Sequence, residues 1–207
     1  MNLPIIPPEK LIGRDAHGPI QAGRIMRSGK IVDILNPKPE QFDLESITAG
    51  LAYQGRFTGQ MKWYYSLAAH SVLVSHLVSP EYALEGLFHD AAEAVLNDIS
   101  RPFKLILKEY KAHEDRVSRA IATKFGLTYP WTEEIKRADE VAVAIEQSYL
   151  LPDTPFWPHI FTRAMCEEIL QACGHPSLDE IVHDPEWQAS DFRIRYYELG
   201  GRAKPYV

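Results

Sequence analysis

The sequence is poor in the features that mark secreted, membrane-spanning and nucleic-acid-binding proteins. Its 207 residues include only two cysteines, Cys166 and Cys173, which lie two turns apart on one predicted helix, too far for an easy disulfide. No apolar run approaches the roughly 20 residues of a membrane span. Residues 1–18 hold three prolines and no apolar core of a signal peptide. These absences predict a cytoplasmic protein with reduced thiols and no membrane partner.

A surplus of positive charge is also missing. Against 22 Lys and Arg stand 28 Asp and Glu, which gives a formal net charge of −6. This balance argues against binding to a nucleic acid polymer or to an anionic membrane. Residues 1–31 are the exception, with five basic and two acidic side chains. This basic stretch is either solvated surface or a segment that reaches a partner or an anionic substrate.

The remaining composition predicts one mostly helical domain with an irregular N-terminal arm. Residues 1–42 are rich in Pro and Gly, and "GRIMRSGKIVDIL" could form a short β-hairpin that turns at "SGK". Residues 43–207 read as one helix after another. The predicted helix starts share a Ser, Thr or Asp N-cap: Asp43, Ser66, Ser79 and Thr132. We therefore expect an all-α helical bundle over 43–207, preceded by the arm over 1–42.

Three of the predicted helices have bounds that the structure can test. Residues 79–96 read as one helix with Pro80 at its first position, and residues 103–127 as one long amphipathic helix. The last helix is expected around residues 189–201.

The helix predicted over 79–96 carries ionisable groups among apolar neighbours. Its segment "GLFHDAAEAVLND" places His89 beside Asp90, and Glu93 and Asp98 follow within two turns or so. On a regular helix His89, Asp90 and Glu93 project from one side. A surface helix keeps its charges on the solvated face, so this concentration needs a chemical reason.

Two other apolar helices each carry one comparable group, His70 in "SLAAHSVLV" and Asp139 in "RADEVAVAI". Taken singly, these are a core histidine and a solvated acid. Buried imidazoles and carboxylates that converge on one point are tolerated best around a cation. A mixed nitrogen and oxygen set suits one divalent ion, Mn²⁺, Co²⁺, Zn²⁺, Fe²⁺ or Mg²⁺, better than it suits a closed thiolate zinc site.

The order His70, His89-Asp90, Asp139, with gaps of 19 and 49 residues, matches the H…HD…D signature of the HD-domain metal-dependent phosphohydrolases. The flanking segments "AAHSVLVSHLV", "LFHDAAEAVLNDISRPFK" and "IKRADEVAVA" resemble those of bacterial 5′-deoxynucleotidases and the related phage dATP triphosphohydrolases. The segment "GRFTGQ…YYSLAAHS", which leads into the first motif at His70, resembles the phage branch more closely. The resemblance covers roughly residues 43–150 and implies the helical HD-domain fold and a homo-oligomer.

The resemblance also implies roles for the matching residues. One divalent ion would be held by His70, His89, Asp90 and Asp139. Glu93 and Asp98 would be the acid/base and substrate-positioning carboxylates, although Glu93 could merely orient a ligand and Asp98 could merely end a helix.

Substrate contacts are implied for the residues before and after this segment. Arg56 would bind phosphate, Lys104 is a second candidate for that role, and Phe57 would lie beside the sugar and base. Arg101 is ambiguous between a salt bridge and a phosphate contact. Trp63 and the two tyrosines after it could stack on a base or anchor the start of a helix in the core.

We therefore expect a divalent-metal-dependent phosphohydrolase acting on small-molecule deoxynucleotides. A 5′-deoxynucleotidase that releases phosphate from deoxynucleoside monophosphates is favoured. The alternative is a triphosphohydrolase that releases triphosphate from a deoxynucleoside triphosphate such as dATP. A second alternative is a non-catalytic helical module with a structural metal ion, against which the spare carboxylates of Glu93 and Asp98 argue.

Overall fold

The structure is a computed structural model that describes residues 13–15, 18–20, 23–155 and 158–202, without the side chains of 13–15, 18–20 and 101. The described chain is mostly helical with two small antiparallel strand pairs near its N-terminus, which confirms the predicted fold class. The strands are β1 (Gly13–Asp15), β2 (Gly18–Ile20), β3 (Gly23–Ile25) and β4 (Ile31–Asp33), and β1 pairs with β2 and β3 with β4. The helices are α1 (Leu44–Ala52), α2 (Leu67–Leu77), α3 (Ala83–Phe88), α4 (Glu93–Leu96), α5 (Arg101–Ile106), α6 (Lys108–Phe125), α7 (Glu133–Leu150), α8 (Arg163–Cys173) and α9 (Pro185–Glu198).

The hairpin predicted at "SGK" is formed by β3 and β4. The backbone N–H of Met26 donates to the carbonyl oxygen of Lys30 at 2.8 Å, and Gly29 adopts the left-handed φ of +81° that the turn requires. Met26 and Val32 are buried in the core formed with the helices. This part of the arm is therefore packed onto the helical body.

Helix α2 lies at the centre of the bundle and contacts α1, α3, α7 and α9. Residues on one side of α2, among them Leu67 and Val72, join one apolar cluster, while Leu73 and Val74 join the other. A helix enclosed on all sides has no solvated face, so its composition is apolar all round. His70 is therefore held entirely inside the protein.

The predicted N-caps at Asp43, Ser66 and Thr132 are confirmed, since each side chain accepts a hydrogen bond from the backbone N–H three residues on. The prediction at Ser79 is wrong. Its side chain makes no capping bond, residues 80–82 form a 3₁₀ turn, and α3 begins at Ala83.

The helix predicted over 79–96 is interrupted at residues 89–92, so His89, Asp90 and Glu93 do not share one regular helix. The backbone N–H groups of Ala91 and Glu93 bond three residues back instead of four. The His89 imidazole takes the carbonyl oxygen of Gly86 at 2.8 Å. That oxygen is the one that the Asp90 N–H would use in an α-helix, so the side chain competes with the helical bond.

Two further helix bounds differ from prediction. The helix expected over 103–127 breaks at Leu107, whose φ of −94° and ψ of 74° are not helical, and this separates α5 from α6. The last helix begins before residue 189, at Pro185, because Asp184 caps it by accepting from the Trp187 N–H. The two cysteines are free thiols, in keeping with their predicted spacing. Within the described ranges, no helix has both the length and the apolar character needed to cross a membrane.

Candidate metal centre

His70 of α2 and His89, which directly follows α3, meet inside the bundle. Their Nε2 atoms lie 3.3 Å apart, and their ring centroids are separated by 5.1 Å. His70 is fully buried and His89 is 9% exposed. Two imidazole nitrogens at this distance either share a proton or face a common cation.

The hydrogen bonds made by the two Nδ1 atoms determine whether Nδ1 or Nε2 carries the hydrogen in each neutral ring. Nδ1 of His70 lies 2.6 Å from Oε1 of Glu146, and Nδ1 of His89 lies 2.8 Å from the carbonyl oxygen of Gly86. Carboxylate and carbonyl oxygens only accept, so both Nδ1 atoms donate. Each neutral ring is thereby left with its Nε2 lone pair facing the other ring, which is the tautomer that binds a metal ion.

Two carboxylates complete the cluster. Oδ1 of Asp139 lies 3.1 Å from Nε2 of His70 and 3.8 Å from Nε2 of His89. Oδ2 of Asp90 lies 3.2 Å from Nε2 of His89 and 3.6 Å from Nε2 of His70. The four predicted ligands are thus brought together. The ligand atoms of His70, His89 and Asp139 all lie within 4.8 Å of one another, so this group could hold a metal ion.

The charges of the cluster favour a cation at its centre. Burial opposes protonation of His89, but Asp90 and Asp139 outweigh it and raise the pKa of His89 well above the ordinary value. Burial and Arg56 likewise oppose protonation of His70, while Glu146 and Asp139 raise its pKa overall. In spite of burial, His89 lowers the pKa of Asp90 to about 2, and the two imidazoles also lower the pKa of Asp139.

Glu146 of α7 was not found by sequence reasoning. Its carboxylate is fully buried and divided between two partners: Oε1 accepts from His70, while Oε2 accepts from Nε of Arg56 at 3.1 Å and lies 3.0 Å from Nη2 in an ion pair. Burial raises the pKa of Glu146, but Arg56 and His70 together bring it below the ordinary value. The available signal was its position seven residues after Asp139, on the same face of an apolar helix.

Arg56, predicted to bind phosphate, lies at the edge of this cluster. Its side chain is 10% exposed, and Nη1 is 3.9 Å from Oδ2 of Asp98. The guanidinium also lies over the ring of Phe57, 5.5 Å from its centroid. Phe57 itself has a left-handed φ of 50°, as has the following Thr58. Such a conformation costs energy for residues other than glycine and is often found where a site constrains the backbone.

Glu93, the first residue of α4, is buried and paired with Lys104 of α5. Nζ of Lys104 lies 2.7 Å from Oε1 of Glu93 and 2.9 Å from Oε1 of Glu114. Oε2 of Glu93 is buried without a hydrogen-bond partner among the described residues. Burial, followed by the charge of Asp90, raises the pKa of Glu93 well above its ordinary value.

The turn from Glu93 to Asp98 is held by Gln54, which sequence reasoning also missed. Nε2 of Gln54 donates to the carbonyl oxygen of Glu93 at 2.9 Å, and Oε1 accepts from the N–H of Asp98 at 3.0 Å. From the arm, Arg24 donates to the carbonyl oxygen of Val95 and to the Asn97 side chain. Burial raises the pKa of Asp98 in spite of Arg56.

A cleft of about 540 Å³ opens beside this turn. Its walls include Asp98, Gln54, Met61, Trp63 and Tyr64. The third aromatic of the "WYY" run, at position 65, is buried in the core, which fits the anchoring role, while stacking on a base stays a prediction. The Arg101 side chain lies outside the described part of the chain, so its predicted role stays a prediction.

Comparison with known proteins gives two relatives. The chain is 40% identical over 116 residues to the uncharacterized protein YfdR of Escherichia coli, a match that covers 56% of this chain and 65% of YfdR, just under two thirds of that relative's length. It is 36% identical over 140 residues to the uncharacterized protein RCAP_rcc00048 of Rhodobacter capsulatus, which covers 61% of this chain and 71% of the relative. No family model matches the chain. At this identity and coverage, the chain belongs to the family of RCAP_rcc00048.

Proposed function

We propose that the protein is a divalent-metal-dependent phosphohydrolase that acts on deoxynucleotides and releases phosphate from deoxynucleoside monophosphates. The observation that carries the proposal is the convergence of two imidazole lone pairs and two carboxylates, beside a buried carboxylate that has an oxygen to spare. The similarity of the flanking sequence to HD-domain phosphohydrolases supports the same conclusion.

The donor set fits a divalent ion. His70 and His89 would each contribute Nε2, because their Nδ1 atoms are occupied as donors. Asp139 and Asp90 would contribute carboxylate oxygens, with Asp90 as the fourth ligand beside His70, His89 and Asp139. Two nitrogens and two oxygens suit Mn²⁺, Co²⁺, Fe²⁺, Zn²⁺ or Mg²⁺. A divalent ion held there would lower the pKa of a water molecule and so supply the nucleophile that phosphate hydrolysis requires.

The neighbouring residues support the proposal that the site binds phosphate and moves protons. Arg56 brings a fixed positive charge to the side of the cluster where Asp98 lies. Such a charge stabilises the negative charge that develops on phosphoryl oxygens. Glu93, with one oxygen already on Lys104, has the other free to accept or to give a proton.

The cleft beside Asp98 would take the nucleoside. Its volume of about 540 Å³ lies within the range of roughly 300–1,000 Å³ typical of small-molecule sites. Trp63 and Tyr64 offer aromatic surface to a base, while Gln54 and Asn97 offer polar groups. The position of Phe57 beside Arg56 is compatible with the sugar contact that the resemblance implies.

The pairing of the cations favours a monophosphate over a triphosphate. Arg56 is bound by Glu146, and Lys104 by Glu93 and Glu114. A triphosphate brings more negative charge than a monophosphate and needs more uncommitted cations than these described side chains provide. The triphosphohydrolase alternative therefore requires cations from elsewhere, of which Arg101 is one candidate.

The test is to incubate the purified protein with dAMP or with dATP, in Mn²⁺, in Co²⁺ or in EDTA, and to identify the anion released. We expect metal-dependent release of inorganic phosphate from dAMP. An Asp90→Ala variant should fall below about one hundredth of the wild-type rate. Triphosphate from dATP would select the other chemistry. Metal binding without turnover of either nucleotide would select the structural-metal alternative.

A further inference from the structure

We propose that Glu146 is a positioning residue whose single buried carboxylate sets both the metal-binding tautomer of His70 and the place of the Arg56 guanidinium. The inference rests on the proposed function and adds to it a residue that lies outside the H…HD…D signature. Glu146 contacts neither the candidate metal position nor the cleft, so it acts through its two partners.

The division of the carboxylate is the geometric basis. Oε1 lies 2.6 Å from Nδ1 of His70, whereas Oε2 accepts a hydrogen bond from Nε of Arg56 at 3.1 Å and forms an ion pair with Nη2 at 3.0 Å. Each oxygen therefore has one task. All three side chains are at least nine-tenths buried, so water cannot replace any of these bonds readily.

The three residues come from separate parts of the fold. His70 lies in the middle of α2, Arg56 lies in a 3₁₀ turn after α1, and Glu146 lies on α7, two turns beyond Asp139. A buried arginine and a buried carboxylate are costly to leave unpaired, so each fixes the other. Helix α7 thus carries one candidate metal ligand, Asp139, and through Glu146 orients a second, His70.

A glutamine cannot perform both tasks. An amide has one accepting oxygen and one donating nitrogen. Facing the Arg56 cation, the amide keeps its oxygen there and turns its NH₂ toward Nδ1 of His70. Nδ1 must then accept, and the ring hydrogen moves to Nε2, where it blocks metal binding. Glu146→Gln therefore changes the tautomer of His70 while nearly preserving the shape of the side chain.

The experiment measures Mn²⁺ affinity by calorimetry and the visible absorption of bound Co²⁺, first for the wild-type protein and then for Glu146→Gln. We expect affinity to fall by about 10- to 100-fold and the Co²⁺ spectrum to change. The matched control is Glu140→Gln, which removes one charge from an exposed position of the same helix and should leave the affinity within about twofold. An Mn²⁺ affinity of Glu146→Gln equal to that of the control would overturn the proposal.

Loss of one partner of a buried ion pair could unfold the variant, so a second variant is included. Arg56→Met combined with Glu146→Gln removes both charges of this buried pair, and replacing both partners is often neutral for folding. Without the Arg56 cation to hold the amide oxygen, the glutamine oxygen can accept from His70, so we expect metal affinity to recover relative to Glu146→Gln. If the single variant does not fold, affinity of the double variant below one hundredth of wild type contradicts the proposal, because the accepting oxygen is then available.

The outcome is separable from that of the proposed function. If wild-type protein binds no metal ion, the metal centre itself is refuted. If wild-type protein binds metal and hydrolyses nucleotide while Glu146→Gln binds equally well, only the role of Glu146 is refuted.

Discussion

Two pairs of histidines lie inside this protein with nearly equal spacing and opposite chemistry. The ring centroids of His70 and His89 are 5.1 Å apart, and those of His76 and His175 are 5.3 Å apart. The pKa values of the first pair are raised, whereas those of the second pair are lowered, and that of His175 falls to about 4. Proximity of two imidazoles therefore does not by itself make a metal site.

The neighbours explain the difference. Nδ1 of His76 faces the carbonyl oxygen of Cys173, Nδ1 of His175 faces that of Pro176, and Arg195 lies nearby as a cation. Among the described residues, no carboxylate is within salt-bridge distance of either ring. Burial, which disfavours a charged imidazole, is then the largest influence. The carboxylates, rather than the histidines, distinguish the candidate metal centre.

The largest effect should follow from removing a carboxylate of the first pair. Asp139→Ala removes one of the two carboxylates beside the Nε2 atoms, and we expect Mn²⁺ affinity measured by calorimetry to fall by more than about 100-fold. His76→Phe, in the second pair, is the matched control and should bind as wild type does. A loss of metal in the control would mean that the second pair, too, is a ligand site.

Metal should also stabilise the fold through the first pair alone. An ion at about 100 times its Kd adds about 2.7 kcal/mol to the free energy of unfolding, provided that it binds only the folded state. Thermal unfolding of wild-type protein should shift upward with Mn²⁺ and return with EDTA. The Asp139→Ala variant should show no such shift. An equal shift in both proteins would place the stabilising ion elsewhere.

The second pair predicts a loss of stability in acid. The folded-state pKa of His175 is about 4, below the value of about 6.5 expected when unfolded, so the unfolded state takes up the proton first. The contribution of neutral His175 to the free energy of unfolding is complete above pH 6.5 and is lost as the pH falls toward 4. Between pH 7 and pH 5 the loss is about 2 kcal/mol. In urea unfolding, His175→Phe should lack this part of the decline, and an unchanged decline would contradict the assignment.

The smallest effect concerns the cation beside the second pair. Arg195 lowers the pKa of His76, while its guanidinium bonds to Ser75. Arg195→Met should raise the pKa of His76 only slightly, because burial remains the main influence. Proton NMR titration of the imidazole checks this. A pKa that does not move would show that Arg195 does not contribute to it.

Local sequence signals sufficed for part of this structure. The helical class and the N-caps at Asp43, Ser66 and Thr132 follow from patterns within a few residues. The candidate metal ligands follow from isolated polar residues in apolar helices, combined with the H…HD…D pattern. In each case the information lies in a short stretch of chain.

What could not be predicted depends on partners distant in the chain. Glu146 bonds to His70 and to Arg56, which precede it by 76 and 90 positions in the sequence. Gln54 holds a turn that lies about 40 positions later in the chain. The interruption after Phe88 depends on the hydrogen bond from the His89 side chain to the carbonyl oxygen of Gly86. The periodicity of the sequence does not reveal this bond. Such features become visible only when the elements are packed together.

The most direct test of the central claim is the release of inorganic phosphate from dAMP, measured for wild-type protein and for Asp139→Ala in Mn²⁺ and in EDTA. If the first pair holds the catalytic metal ion, wild-type protein releases phosphate in Mn²⁺, and almost none is released in the other three samples. Equal release by Asp139→Ala in Mn²⁺, or the same release by wild-type protein in EDTA, would contradict a metal centre at His70 and His89.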